Sequence, residues 1–232
     1  MQCYATILRS FLRYAEDQGW CSKHLANTIK APRVYRDELL PSAPCWSDVQ
    51  KLLVNTVSDR PTDIRDYAIL MLLSVYGMRC SEVCHLRLED IDWENELIHL
   101  ERAKKCKSQV FPLSKTVGEA IVRYLTLVRP KLQLLTSREV FLTMCAPYRL
   151  LSSSAIYLIV SQRLKKLNIT IKHHGPHALR HACATHLINE GISLKEISDH
   201  LGHQNLDTTR IYAKVDLTNL RKVAEFDLGG VL

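Results

Sequence analysis

Four separated stretches of the chain carry side chains able to handle a charged phosphorus centre. Arg79 opens the segment RCSEVCHL, three residues before Glu82. At that spacing the two share one helical face. An arginine held there presents a planar, two-toothed fork to an oxyanion; a surface Arg–Glu pair has the same pattern. The segment ERAKKCKSQVFPL (101–113) sets Lys104, Lys105 and Lys107 at the turn of a predicted hairpin. A lysine there can bring a compact positive charge and a proton to a phosphate, although a solvated basic turn reads alike. HHGPHALRH (173–181) places His177 and Arg180 three apart behind Pro176, near a helix start and facing one point. The span from Arg163 to Arg180 also holds Lys165, Lys166 and Lys172 and no acidic residue, which makes it a candidate polyanion-binding band. Last, ISDHLGHQNLDTTRIYAKV (197–215) turns at Leu201-Gly202, resumes at His203 and reaches Tyr212.

Each stretch has a plainer reading. His177 and His181 have the i,i+4 spacing of two helical zinc ligands, but Ala178 stands where HExxH needs its glutamate. A structural histidine is the other alternative. A lone tyrosine is usually a half-buried aromatic with its hydroxyl at the surface. Together, however, the stretches supply two arginines, a lysine, two histidines and a hydroxyl nucleophile. That set could attack a phosphodiester without a metal.

These side chains need elements to hold them. Residues 3–18 recur at helical spacing through Ile7, Leu8, Phe11, Leu12 and Ala15, with Gly19 as a stop. Pro32, Pro41 and Pro44 punctuate an aperiodic stretch, which predicts a linker over 22–45. The organisation expected is therefore a helix over 1–21, a linker, and a main domain over 46–232. One helix cannot make its own core. Ser47 and Gln50 have capping-box spacing at the start of the next helix. Helices are predicted at 63–76, 81–86, 116–128 and 153–167, and a helix-rich portion over 177–226. A hairpin over 98–110 lies between them. The fold class expected is mainly α with a small antiparallel sheet.

The chain has 232 residues, of which 47% are hydrophobic, enough for an ordinary core. Lys and Arg total 31 against 24 Asp and Glu, for a net charge of +7. That excess suits a polyanionic partner without demanding one. The 8 cysteines form no CxxC pair and read as free thiols of a reducing cytoplasm rather than a disulfide scaffold or zinc ribbon. The start carries no charged leader followed by an apolar core. No apolar run reaches the ~18–20 residues that cross a bilayer. A cytoplasmic protein with no membrane partner is the expectation.

On these motifs the sequence resembles the tyrosine recombinase family, also called phage integrases, most strongly over 69–113 and 176–213. VYGMRCSEVCHLRLEDID resembles the family's first arginine box, AKKCKSQVFPL its lysine hairpin, HALRH its HxxR box and LGHQNLDTTRIY its terminal box. The resemblance implies that Tyr212 is the nucleophile, that Arg79 and Arg180 bind the scissile phosphate, and that Glu82 supports Arg79. It further implies that Lys104 is the general acid and that His177 and His203 assist. Lys105, Lys107, Arg163, Lys165, Lys166 and Lys172 are the accompanying candidate DNA contacts. The implied activity is integration or recombination of double-stranded DNA through a covalent 3′-phosphotyrosine, with no cofactor, metal or ATP, as on mobile genetic elements. The implied location is the cytoplasm, at the nucleoid when DNA is bound.

The family pattern has a helical core-binding domain ahead of the catalytic one, and residues 1–21 resemble only its last helix. A truncated reading frame, a minimal variant and a separately encoded core-binding partner all fit. Self-association on DNA, up to a tetramer, is expected through Leu217–Leu232. Two competing functions share these features: an accessory DNA-binding protein without strand exchange, and a type IB-like topoisomerase that needs no second duplex.

Overall fold

The structure is a computed structural model, and it describes residues 2–29, 43–102, 107–129, 137–169, 171 and 173–202. The chain divides into two compact units, Met1–Leu39 and Leu40–Leu232.

In the first unit, α1 (Gln2–Asp17) ends where Gly19 takes φ +71°, a left-handed conformation that glycine adopts without steric cost. A one-turn helix, α2 (Leu25–Thr28), follows inside the stretch expected to be a linker. Among the described residues of this unit, Ala15 and Ala26 are the buried apolar ones, and Arg9 donates to the Ile29 carbonyl. Tyr4, Ile7, Phe11 and Trp20 are all more than half exposed. Among the described residues, α1 and α2 bury little apolar surface.

The second unit holds α3 (Trp46–Val54), α4 (Pro61–Val75), α5 (Cys80–His85), a 3₁₀ turn (Leu88–Asp90), β1 (Ile91–Asp92), β2 (Leu97–Arg102), β3 (Lys107–Pro112), α6 (Lys115–Leu127), α7 (Ser153–Lys166), α8 (Pro176–Asn189) and α9 (Leu194–Leu201). The mainly helical class with one small antiparallel sheet is as expected. Among the described residues no helix is long and apolar enough to cross a membrane.

α4 is the central element, packed against α3, α5, α6, α7 and α8. It is buried almost all round, from Ile64 through Ser74, so its sequence is apolar with little amphipathic rhythm. Pro61 starts it at a position where a missing N–H costs nothing. α3 begins two residues earlier than the Ser47–Gln50 pattern implies. Cys45 is its N-cap, and no side chain caps it, so that capping box does not form.

The sheet has order β1-β2-β3. β1 is only two residues long and was missed in the sequence because period-2 alternation cannot show over two positions. In the β2–β3 register, Ile98 faces Phe111 and Leu100 faces Gln109. Ile98, Leu100 and Phe111 are buried, whereas His99 and Val110 face solvent. Gln109 is therefore a polar residue on the apolar side of the hairpin.

α8 and α9 share a small cluster of their own: Ala184, Ile188, Ile197 and Leu201. Gly77, just past α4, has φ +59°, and a Cβ there would lie 2.7 Å from Leu201 Cδ2 and 3.4 Å from Cys183 Sγ. Gly77→Ala combines a left-handed backbone cost with a steric overlap. It is expected to destabilise the chain by about 1–3 kcal/mol, read as a lowered denaturation midpoint. An unchanged midpoint would show that α9 yields freely.

Candidate active site

α4 stops at Val75, and Gly77 swings the chain so that Arg79 becomes the N-cap residue of α5. Glu82 sits three residues on, at the first turn. Its carboxylate accepts from the Arg79 main-chain N–H (2.7 Å) and from Arg79 Nη1 (2.7 Å). One acid thus caps a helix, complements its positive end and fixes a guanidinium. The Glu82 side chain is 9% exposed and that of Arg79 is 35% exposed, so the fork is supported from below and reachable from above.

Arg180 lies one turn into α8 and is buried among Ala178, Leu179, Ala182 and Cys183. A buried guanidinium must be hydrogen-bonded. Arg180 Nη1 donates to the Gly77 carbonyl, which the left-handed turn leaves outside the helix, and Nη2 donates to the Leu201 carbonyl at 2.6 Å. Arg79 Nη2 donates to the next carbonyl, that of Gly202, at 2.9 Å. The two arginines therefore converge on adjacent carbonyls at the C-terminal end of α9. Those carbonyls lack helical partners and carry the negative end of the helix dipole. Gln109 Nε2 completes the set with bonds to the carbonyls of Asp199 (3.1 Å) and His200 (2.6 Å). The Phe111 ring also meets the His200 ring edge-on at 5.2 Å.

Arg79 and Glu82 pair directly, and Arg79 and Arg180 meet at adjacent carbonyls of α9. His177 stands exposed in the first turn of α8, above buried Arg180. The neighbouring His181 is pushed below its ordinary pKa by burial, with further lowering from His177 and Arg180, so it adds no charge at neutral pH. Lys165 and Lys166 are exposed in the last turn of α7, where cations suit the helix dipole. Lys107 opens β3. Lys104, Lys105, Lys172, His203 and Tyr212 lie outside the described residues, as does Leu217–Leu232. Among the described residues no three His, Cys, Asp or Glu side chains gather as a metal-ligand group.

Arg163 is a correction. Expected among the DNA contacts, it turns inward instead, pairing with Asp63 and Asp66 at 2.6 Å each with its side chain 15% exposed. Asp66 also takes Arg65 at 2.7 Å, so α7 is ion-paired to α4. A guanidinium already matched by two carboxylates gains little from a phosphate. Sequence reading missed Asp66, because partners 97 positions apart leave no local pattern. It missed Gln109 as well, although a glutamine in phase with Phe111 on a strand's apolar side was a legible signal.

The fold is shared with solved site-specific recombinases. A structure of XerH bound to palindromic difH substrate, a post-cleavage complex, superposes with a TM-score of 0.78 at 20% identity, covering 97% of this chain and 66% of that one. The phage integrase family matches residues 47–218. The chain belongs to the phage integrase family. It is 40% identical over 220 residues to the integrase/recombinase y4rA of Sinorhizobium fredii, covering 94% of this chain. It is 35% identical over 221 residues to the tyrosine recombinase XerC of Thermodesulfovibrio yellowstonii, covering 93% of this chain and 71% of that protein. At 53% of y4rA and 51% of y4rF from the same organism, the chain spans about half the length of these curated relatives.

Proposed function

We propose that this chain is the catalytic part of a site-specific DNA recombinase that cuts and rejoins strands through a covalent 3′-phosphotyrosine. The observation that carries the reading is the convergence of Arg79 and Arg180 beside Gly202, one residue before His203 in a chain that reaches Tyr212. Two guanidiniums there suit the non-bridging oxygens of a phosphate as charge develops in the transition state. Tyr212 attacks phosphorus and displaces the 5′-oxygen. Lys104 protonates that oxygen, which leaves poorly as an alkoxide. His177 assists proton transfer at the tyrosine, and His203 donates to a phosphate oxygen. The 5′-hydroxyl of a partner strand then attacks the phosphotyrosine and releases Tyr212. Each step exchanges one phosphodiester for another, so no ATP is consumed.

The DNA partner fits the net charge of +7 and the exposed Lys165 and Lys166. Residues 1–21 act as the end of a core-binding domain, and Leu217–Leu232 links protomers on DNA, up to a tetramer. Salt sensitivity and mass on a matched site measure these two points. The central test uses nicked suicide DNA, from which the short fragment bearing the released 5′-hydroxyl diffuses away after cleavage. The wild-type chain is expected to leave a denaturation-resistant protein–DNA adduct, and Tyr212→Phe none. An adduct of equal yield from Tyr212→Phe would overturn the assignment. Exchange between two marked duplexes separates a recombinase from a topoisomerase.

A further inference from the structure

Gln109 has no place in the chemistry above, yet it makes two of the bonds that hold α9's end. It projects from the apolar side of β3, opposite Leu100, and its amide nitrogen reaches the carbonyls of Asp199 and His200. Its amide oxygen is buried and has no hydrogen-bond partner among the described residues. An unmatched buried acceptor is costly. An apolar residue would fill this face without that cost, so the position is set by what the amide donates to.

The two things it joins are the two arms of the site. β2 and β3 pair up to Arg102 and Lys107, and Lys104 lies between these two in the sequence. α9 ends at Leu201, and in the sequence Gly202 is followed by His203 and, nine residues on, by Tyr212. Four consecutive carbonyls, Asp199 to Gly202, are held by Gln109, Arg180 and Arg79. The arginines tie α9 to the phosphate-binding side. Among the described residues, Gln109 supplies the side-chain hydrogen bonds that tie it to the hairpin, with the Phe111–His200 ring contact beside it. The α8–α9 apolar cluster is small, so these polar ties fix the end of α9.

We propose that Gln109 is a positioning residue that holds the hairpin bearing Lys104 in register with the α9 end that leads to Tyr212; the proposal rests on the DNA-cleaving function above. General acid and nucleophile act on opposite sides of one phosphorus, so a small slip between their arms is costly. A displacement near 1 Å can lower a rate about 100-fold.

The test compares the wild-type chain with Gln109→Glu and Gln109→Lys. Glutamate keeps the shape but sets a carboxylate against two carbonyls; lysine keeps a donor. Each is assayed for single-turnover cleavage of suicide DNA, for DNA affinity and for its thermal midpoint. A second suicide DNA carries sulfur in place of the bridging 5′-oxygen, and its thiolate leaves without a proton. Gln109→Glu is expected to cleave normal DNA about 10- to 100-fold more slowly at saturating protein, with most of that loss erased on the sulfur substrate. Gln109→Lys is expected to stay within about 5-fold of wild type. Equal defects of Gln109→Glu on the two substrates, or no defect at all, overturn the proposal. Should Gln109→Glu not fold, Gln109→Ala replaces it with the same two outcomes. A wild-type chain that cleaves neither DNA overturns the function itself, a result distinct from any failure at Gln109.

Discussion

Arg180→Ala is expected to lower single-turnover DNA cleavage by about 100- to 1,000-fold at saturating protein, the usual cost of losing one preorganised donor to a developing oxyanion. The bonds to Gly77 and Leu201 set the side chain before DNA arrives, so its reorganisation cost is already met by the fold. Arg180→Lys should recover only part of the loss, because an ammonium cannot span Gly77, Leu201 and a phosphate with one planar fork. DNA affinity should change far less than cleavage. Arg79→Ala should follow the same pattern, with the Arg79 Nη1–Glu82 bond removed. Cleavage by either alanine variant at the wild-type rate would remove that arginine from the chemistry. The denaturation midpoint is read alongside, since Arg180 also joins α8 to Gly77 and to α9.

Asp66→Ala should have the largest effect on stability, about 3–5 kcal/mol, as for removal of one partner from a buried ion pair. Both oxygens are engaged. Oδ1 takes Arg65 Nε and Nη2 at 3.0 and 2.7 Å, and Oδ2 takes Arg163 Nε and Nη2 at 3.1 and 2.6 Å. The variant leaves Arg65 without its carboxylate and Arg163 with Asp63 alone. Urea denaturation measures the difference, and a midpoint equal to wild type would refute the account. Asp63 adds a pH dependence. Burial raises its pKa, but hydrogen bonds from Ser58 and Arg163 outweigh burial and hold it below the ordinary aspartate value. A folded pKa below the unfolded one contributes stability above about pH 4, and that contribution is lost as pH falls through the folded value. Asp63→Asn should therefore flatten the acid limb of the stability curve. Arg163→Ala should cost stability while leaving the salt dependence of DNA binding nearly unchanged, unlike Lys165→Ala and Lys166→Ala.

Local rules worked where the cause is local. The rhythm of Ile64, Ala68, Ile69, Leu72 and Leu73 announced α4, and Gly77 announced its end. Arg79 and Glu82 were legible because their pairing spans one helical turn. The Ser47–Gln50 spacing misled because a capping pattern has no force until the helix start is known, and Cys45 occupies that point. The fate of Arg163 was illegible for another reason. Its charge suited either a phosphate or a carboxylate, and only the approach of α4 to α7 decides between them. The convergence of both arginines on α9 likewise depends on carbonyls, which every residue has and no sequence marks.

That last point has a genetic consequence. The acceptors at the end of α9 belong to the main chain, so they persist whatever residues stand at 199 to 202. Substitution can remove a donor or, as at Gly77, displace the end of α9, but it cannot delete a carbonyl. A suppressor selection begun from a defective Gln109 variant should return changes at 109 itself or elsewhere on the hairpin. It should return none that restores a lost acceptor, because no acceptor can be lost by exchanging side chains. Removing one requires altering the peptide group itself, which no exchange of side chains does.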